Sequence, residues 1–282
     1  AAKDSSPATT DVAGSRDNTP VVLTGSADGT VTYGNDSVTV DASHTEEGYL
    51  MVSYSGSNSK VKLQITGSDE ITYTYNLHDG YETFPLTSGS GSYTVGVFEN
   101  IEGTSYSTLF TQAIDVTIQD EFGPYLYANQ YVNFSADSKV ISKAMELSAS
   151  ANDDLEVIEN VYNYIITNFT YDYDKAASVQ SGYLPNVDEV LASQTGICFD
   201  YAAVMASMLR CERIPTRLEV GYMGDVYHAW ISTYIKDKGW VNGIIEFDGN
   251  DWKLMDPTFA STSSDPKDFL TQTDEYITKY VY

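Results

Sequence analysis

The stretch TGICFDYAAVMASMLRC, residues 195–211, decides the fold of the second half of this 282-residue chain. Gly196 permits a turn into a helix, and the helix is predicted to begin at or just before Cys198 and to run through DYAAVMASMLR. The thiol of Cys198 then falls at the helix N-terminus, where the helix dipole favours a thiolate. Small side chains would let neighbouring elements approach this helix closely, namely Ala202, Ala203 and Ala206.

Two further residues can complete a nucleophilic site. His228 lies in the strand-like run VYHAWIS and is the only histidine of the second half, because His44 and His78 belong to the first. Asp256 closes the run DWKLMD, where Pro257 ends the strand by removing a backbone donor. On an adjacent antiparallel strand, this carboxylate could bind the imidazole nitrogen that faces away from the thiol.

A cysteine nucleophile needs a lowered thiol pKa, a base that holds the thiolate as an ion pair, and a group that orients the base. The sequence offers one candidate for each role in Cys198, His228 and Asp256. A helix between the two cysteines would hold them about 20 Å apart, too far for a disulfide. We therefore expect two free thiols, with Cys211 structural and Cys198 available for chemistry.

The sequence around these residues predicts an α+β domain. In residues 152–169, apolar positions recur every three or four residues and indicate an amphipathic helix, with Asn152 as its N-cap. Strand-like runs follow the cysteine helix: TRLEVGY, VYHAWISTYI, GWVNGIIEF and DWKLMDPTF. Helices first and a sheet after them define this class of domain.

The first half reads differently, as short β-type runs separated by turn residues between about Val21 and Gln119. In one of them Val61, Leu63 and Ile65 alternate with polar residues, the pattern of a strand with one buried face. An antiparallel immunoglobulin-like or fibronectin-like sandwich is predicted. The predicted organisation is a flexible tether over 1–20, a β-sandwich over 21–120 and the α+β domain over 121–282.

Composition excludes some classes of partner. Fifteen Lys and Arg face 40 Asp and Glu, a formal charge of −25, which would repel nucleic acids and anionic lipid surfaces. No apolar run approaches the roughly 18–20 residues that cross a bilayer. The opening segment, rich in Ser, Thr, Asp, Ala and Pro, resembles the tether that follows a removed export signal or lipid anchor, so an extracellular or cell-surface bacterial setting is expected.

The motifs GICFDYA, YHAW and WKLMDPTF, in this order, resemble the transglutaminase-like superfamily of bacterial secreted proteins. The similarity extends over about residues 140–262, and the sandwich followed by FGPYLYANQYV resembles the region that precedes this domain in such proteins. The expected fold is therefore multidomain, an N-terminal all-β immunoglobulin-like sandwich plus a C-terminal α+β transglutaminase-like, papain-like domain.

The resemblance implies that Cys198 is the acyl-accepting nucleophile, His228 its base and acid, and Asp256 the orienting carboxylate. The implied reaction attacks an amide carbonyl and leaves a thioester, which water or a lysine amine resolves. The oxyanion hole should combine the Cys198 backbone N–H with a second donor, for which Gln130 and Tyr171 are candidates. No calcium-loop spacing or zinc ligand set is present in the sequence, so no metal and no cofactor are predicted.

Two functions follow from these residues. The first is an exported cysteine hydrolase or acyltransferase acting on peptide or protein amides, cell-wall peptides among them. The second is a catalytically silent cell-surface binding or adhesion module that keeps the fold, because fold resemblance alone does not fix function. The acceptor, water or amine, is chosen by cleft geometry that motifs do not describe.

Overall fold

The computed structural model describes residues 12–243, 245–247, 252–254 and 276–282. Their N-terminal part is all β and holds two four-stranded antiparallel sheets. The first sheet has the order β1-β2-β3-β6, with β1 Thr32–Gly34, β2 Val38–Asp41, β3 Tyr49–Tyr54 and β6 Glu82–Pro85. The second has the order β5-β4-β7-β8, with β4 Val61–Thr66, β5 Thr72–Asn76, β7 Gly91–Glu102 and β8 Ser105–Val116.

Alternation of side chains builds the core of this part. In β4, Val61, Leu63 and Ile65 are buried and their neighbours are half-buried, as the sequence predicts. Most of the buried apolar residues of both sheets belong to one hydrophobic cluster. An antiparallel β-region is thus present where the sequence predicts a sandwich, and its immunoglobulin-like character stays a prediction.

Helices dominate the next part of the chain. They are α1 Lys139–Ser148, α2 Asp154–Asn168, α3 Tyr173–Ser178, α4 Val187–Ser193 and α5 Cys198–Cys211. The N-cap of α2 is Asp153, whose side chain accepts the N–H of Glu156 at 2.8 Å, so the prediction of Asn152 is wrong by one residue. Asn152 instead accepts the N–H of Ser15. Short strands β9 Thr170–Tyr171 and β10 Thr195–Gly196 pair in parallel before α5.

Helix α5 is the centre of the second half. Every side chain from Tyr201 to Cys211 is buried, and the helix packs on α1, α2 and α4 and on a four-stranded antiparallel sheet. That sheet has the order β13-β12-β11-β16, with β11 Thr216–Met223, β12 Val226–Ile235, β13 Gly239–Gly243 and β16 Tyr276–Val281. Strands β14 Ile245–Phe247 and β15 Trp252–Leu254 pair with each other.

The segment before β1 lies against the helices. Gly14 N–H donates to Ala149 O at 2.9 Å, and Val21 N–H donates to Cys211 O at 2.8 Å. Arg16 bonds Asp154 at 2.7 Å and also contacts Glu212. The part of the predicted tether after residue 13 is therefore packed through defined contacts, whereas the two domain boundaries, at 20/21 and 120/121, stay predictions.

Contacts join the β part to the second half. Tyr73 of β5 meets Tyr280 and Tyr282 edge-on, and its hydroxyl accepts the N–H of Val281 at 3.0 Å. Within the second half, Tyr131 stacks on Tyr282 with ring centroids 4.0 Å apart. Buried Arg210 donates to the carbonyl oxygens of Tyr127, Thr216 and Tyr282. None of the helices that the structure describes is long and apolar enough to span a bilayer.

Candidate active site

Cys198 is the first residue of α5, where the sequence places it. The first N–H groups of a helix have no acceptor within the helix and point outward. Backbone N–H groups of Ala229 and Phe199 lie within hydrogen-bonding reach of the sulfur. The thiol therefore sits between the start of α5 and the middle of β12.

Burial raises the pKa of the Cys198 thiol, although the N–H groups of Ala229 and Phe199 act to lower it. The helix terminus alone therefore does not give the Cys198 thiol the lowered pKa that the sequence predicts. A thiolate at this position needs a cationic partner that outweighs the cost of burying the charge.

His228 lies on β12 opposite Gly221 of β11. A Cβ at position 221 would lie 1.9 Å from Ile277 O of β16, so only glycine allows the two strands to approach here. The His228 ring lies 6.1 Å from Trp230 with an interplanar angle of 24°, and 6.3 Å from Tyr276. Aromatic neighbours thus flank the imidazole on its own strand and on β16.

Cys198 and His228 line one cavity of about 430 Å³. Strand β13 pairs with residues 231–235 of β12, so within the described residues the part of β12 that carries His228 is paired on its β11 side alone. The other walls are mainly aromatic and apolar and include Tyr131, Tyr171, Val179, Tyr183, Phe199 and Tyr227. The structure thus brings two of the three predicted catalytic residues to one cleft, and Asp256 lies outside the described residues.

A buried carboxylate fastens the start of α5. Asp200 is fully buried and accepts the N–H of Ile197 at 2.9 Å. It also forms a salt bridge of 2.7 Å with Lys175 and accepts the hydroxyl of Tyr183. Asp200 therefore ties α3 and the loop that carries Tyr183 to the helix that begins at Cys198.

Gly196 serves this packing. A Cβ at position 196 would lie 2.8 Å from the Cβ of Asp200, so close approach requires the glycine. The pairing of Gly196 with Tyr171 in the β9–β10 ladder also places Tyr171 beside the cysteine turn. An aspartate at the third position of a helix can be recognised in the sequence as a capping residue. Nothing in the sequence indicates that Lys175 and Tyr183 are its partners.

The two candidate oxyanion donors separate in the structure. Gln130 donates to Asn76 O at 2.7 Å and to Glu82 at 2.9 Å, and it lines a different cavity against the first sheet. The Gln130 candidate is therefore wrong. Tyr171 lines the Cys198 cavity, and burial raises its pKa to about 12, with the nearby Cys198 adding to the shift. Its hydroxyl stays protonated at neutral pH.

A polar cluster lies on the His228 face of the sheet. Trp230 is buried and donates its indole N–H to Glu219 at 3.1 Å, and Ser232 donates its hydroxyl to the same carboxylate. Thr278 of β16 also donates to Glu219, at 3.4 Å. The cluster fixes Trp230 next to the imidazole. Trp230 is therefore packed on the sheet and is absent from the lining of the cavity that Cys198 and His228 share.

The second cysteine is structural, as predicted. Cys211 is fully buried at the other end of α5, and its thiol donates to Met208 O at 3.0 Å. Burial raises its pKa to about 12. Neither cysteine is in a disulfide. In the part of the chain that the structure describes, no group of three or more His, Cys, Asp or Glu side chains could hold a metal ion.

A cysteine at the start of a central helix, packed on an antiparallel sheet that carries a histidine, is the arrangement of papain-like folds. Residues 141–243 match the family model of the transglutaminase-like superfamily, and they therefore form a transglutaminase-like domain. This match lies within the predicted C-terminal domain and confirms the resemblance seen in the motifs.

Known proteins resemble the chain only in part. UPF0252 protein MJ1282 of Methanocaldococcus jannaschii is 28% identical over 89 residues, which are 30% of this chain. The matched segment spans about a quarter, 24%, of that relative's length.

Solved structures match the chain at low similarity. A candidate cysteine protease from Cytophaga hutchinsonii has a TM-score of 0.37 at 17% identity, covering 81% of this chain and 69% of that one. The periplasmic domain of TgpA from Pseudomonas aeruginosa, bound to ethylmercury, has a TM-score of 0.36 at 15% identity, covering 80% and 97%. Red sea bream transglutaminase has a TM-score of 0.31 at 14% identity, covering 82% and 49%.

Proposed function

We propose that this chain is a cysteine-dependent amide hydrolase or acyltransferase that acts on peptide or protein substrates through a thioester. Cys198 is the nucleophile, His228 the base and acid, and Asp256 the residue that orients the imidazole. The observation that carries the proposal is the common cavity of Cys198 and His228 at the start of α5. The transglutaminase-like family match over residues 141–243 supports it.

In the first step the Cys198 sulfur attacks the amide carbonyl carbon, and its proton passes to His228. A carbon–sulfur bond forms, the carbon–nitrogen bond breaks, and the imidazolium returns the proton to the leaving amine or ammonia. In the second step water or a primary amine attacks the thioester, His228 accepts its proton, and the Cys198 thiolate leaves. Water gives hydrolysis or deamidation, and an amine gives a crosslink.

Charge on the tetrahedral oxygen needs donors that are already in place. The backbone N–H of Cys198, which has no acceptor within α5, is one donor. The hydroxyl of Tyr171 is our candidate for the second, because the residue lines the cavity beside Cys198 and its pKa of about 12 keeps it protonated. A phenol in this place would stabilise the oxyanion without donating its proton to the sulfur.

Because burial raises the pKa of the Cys198 thiol, the proposed mechanism needs His228 for more than proton transfer. Desolvation favours the neutral thiol, so an imidazolium beside the sulfur must supply the compensating charge. The active form is then an ion pair that depends on both side chains. Loss of His228 should therefore abolish the reactivity of the Cys198 thiol and not only slow proton transfer.

The N-terminal β-region would serve as a spacer or docking module. We also propose that this region is an immunoglobulin-like sandwich, on the basis of its strand pattern. The acidic composition and the composition of the first residues support an exported, cell-surface setting. Cell-wall peptides are within the proposed substrate class.

The second candidate is a binding or adhesion module that keeps the fold without turnover. The observation that favours it is the burial of the Cys198 thiol, which raises its pKa and opposes thiolate formation. A protein of this kind would bind peptides in the cavity and release them unchanged.

A casein substrate offered together with a fluorescent primary amine tests the proposal. New amino termini report hydrolysis, fluorescence in the protein reports amine transfer, and a mass gain of about one dalton per site reports deamidation. We expect at least one of these products from the unaltered chain and no product from Cys198→Ala. Cys211→Ala is the matched control and should keep the activity, because its sulfur lies in the core.

Equal product from Cys198→Ala and the unaltered chain would contradict the assignment of the nucleophile. Binding of a peptide to the unaltered chain without any product or acylated Cys198 by mass spectrometry would favour the binding module. Circular dichroism of each variant separates loss of chemistry from loss of fold.

A further inference from the structure

A second cavity, of about 320 Å³, lies between the N-terminal β-region and the sheet that carries His228. Four aromatic side chains form its walls: Phe122, Tyr125, Tyr234 and Trp240. Along β12, Tyr234 is six residues beyond His228, or about 20 Å at strand spacing. The cavity is thus separate from the Cys198 cleft.

Arg217 of β11 reaches into this cavity. Its guanidinium lies 3.8 Å from the ring centroid of Trp240 and 4.7 Å from that of Tyr125. Stacking on two rings holds the guanidinium plane in place and leaves its N–H edge for planar anions. The aromatic walls are therefore built around a fixed positive charge.

The guanidinium of Arg217 lacks an acidic partner within the described part of the chain. Among the described residues, no carboxylate forms a salt bridge with this guanidinium. Its Nε is buried and has no hydrogen-bond partner within the same part of the chain. A buried donor without an acceptor costs free energy, and a carboxylate that displaced the atoms covering this Nε would supply the missing acceptor. In a chain with a formal charge of −25, a guanidinium that lines a cavity and has no carboxylate partner among the described residues points to an anionic ligand.

We propose that this cavity binds the free carboxylate end of a peptide whose last side chain is aromatic or large and apolar. The carboxylate would take the N–H edge of Arg217 in a charge-assisted pair. The side chain would pack among Phe122, Tyr234 and Trp240.

The residues that line the cavity favour a peptide carboxylate over other anions. Leu86, Ile118 and Pro124 add apolar surface to the aromatic walls, whereas a sugar acid would need many hydroxyl partners. Exposed Glu121 also lines the cavity and would repel a second negative charge. A singly charged carboxylate beside an apolar group fits this combination, and a phosphate or polyanion does not.

The test compares N-acetyl-L-phenylalanine with its amide, N-acetyl-L-phenylalaninamide, on the full chain carrying Cys198→Ala. Binding is followed by the indole N–H signals in a proton–nitrogen spectrum, with Trp240 assigned through Trp240→Phe. We expect the acid to shift the Trp240 signal and to bind at least about tenfold more tightly than the amide, because the charge-assisted pair is lost in the amide. Arg217→Gln should lower the affinity for the acid to the affinity measured for the amide.

Arg213→Gln is the matched control, since Arg213 lies outside the cavity and pairs with Asp17, and it should leave binding unchanged. Equal affinity for acid and amide, or no shift of Trp240 with either, would overturn the carboxylate site. Tighter binding of glucuronate than of N-acetyl-L-phenylalanine would overturn the peptide assignment. The acid and amide are both measured with Arg217 in place, so the result does not depend on how Arg217→Gln folds, nor on activity at Cys198.

Discussion

The two ends of helix α5 carry the same pair of side-chain types in different surroundings. At the start, Cys198 opens onto a cavity shared with His228, and buried Asp200 pairs with Lys175. At the end, Cys211 is sealed in the core with its thiol on a carbonyl oxygen, and buried Glu212 pairs with Arg16. One helix thus places one cysteine at a cavity and buries the other in the core.

The comparison teaches that a helix terminus alone does not activate a thiol. Burial raises the pKa of both cysteines, and it raises that of Cys211 to about 12. What distinguishes Cys198 is its access to a cavity, to backbone N–H groups and to an imidazole. The proposed activity therefore depends on neighbours from β12 as much as on α5.

The largest expected effect comes from His228→Asn, which removes the only imidazole of the cavity. Turnover of the casein substrate should fall by about 10⁴-fold, a loss typical of removing a triad member. The matched control is His78→Asn in the β-region, where the half-exposed ring bonds Glu82. That variant should keep full turnover, and an equal loss in both would contradict a catalytic role for His228.

Next in size is Tyr171→Phe, which removes the proposed second oxyanion donor. We expect kcat to fall by about 10²-fold with little change in KM, because the donor acts on charge that develops only in the transition state. Tyr173→Phe on the exposed neighbour is the control and should leave kcat unchanged. A change in KM alone for Tyr171→Phe would instead assign the phenol to substrate binding.

Asp200→Asn tests how the start of α5 is held. Removing one charge of a buried pair should lower the free energy of unfolding by about 2 kcal/mol, measured by urea denaturation. Glu146→Gln breaks the exposed Lys143 pair and should cost no more than about 0.5 kcal/mol. Equal effects would show that the Asp200 network does not fasten the helix.

The same pair has a defined pH dependence. Burial lowers the pKa of Lys175, but the hydrogen bonds to Asp200 and Tyr183 outweigh burial and raise it overall. A cation with a raised folded pKa contributes stability at neutral pH and loses it as pH rises through that pKa. The difference between Asp200→Asn and the unaltered chain should therefore persist at neutral pH and shrink only in strongly alkaline solution.

The smallest effect is expected at the other end of α5. Burial raises the pKa of Glu212, and Arg16 and Ser148 oppose the shift. Arg16→Ala should cost about 1 kcal/mol of unfolding free energy at neutral pH, because it leaves a buried carboxylate less compensated. The cost should diminish as pH falls and Glu212 becomes protonated. A cost independent of pH would assign Arg16 to packing alone.

Local patterns predicted much of this fold. The spacing of apolar residues located α2, and the run from Cys198 through Arg210 located α5 to within about one residue at each end. Period-two alternation identified β4, and the runs around His228 identified β11 and β12. These elements follow from short-range patterns, which a sequence displays directly.

Long-range partners were not predictable in the same way. Nothing in the sequence near Asp200 indicates that Lys175 and Tyr183 converge on it, because those contacts arise only when α3 packs against α5. Gln130 was misplaced for the same reason, since its partners Asn76 and Glu82 belong to the first half of the chain. The burial that raises the pKa of Cys198 is likewise a tertiary property.

The most direct test of the central claim is the alkylation of the two cysteines of one folded chain by iodoacetamide, followed at each site by mass spectrometry between about pH 5 and pH 8. Thiolate is the reacting form, so the rate at each sulfur reports its ionisation and access. We predict rapid labelling of Cys198 already at mildly acidic pH, lost in His228→Asn, and no labelling of Cys211. Slow labelling of Cys198 that rises only in alkaline solution, unchanged by His228→Asn, would contradict the ion pair and with it the proposed enzyme.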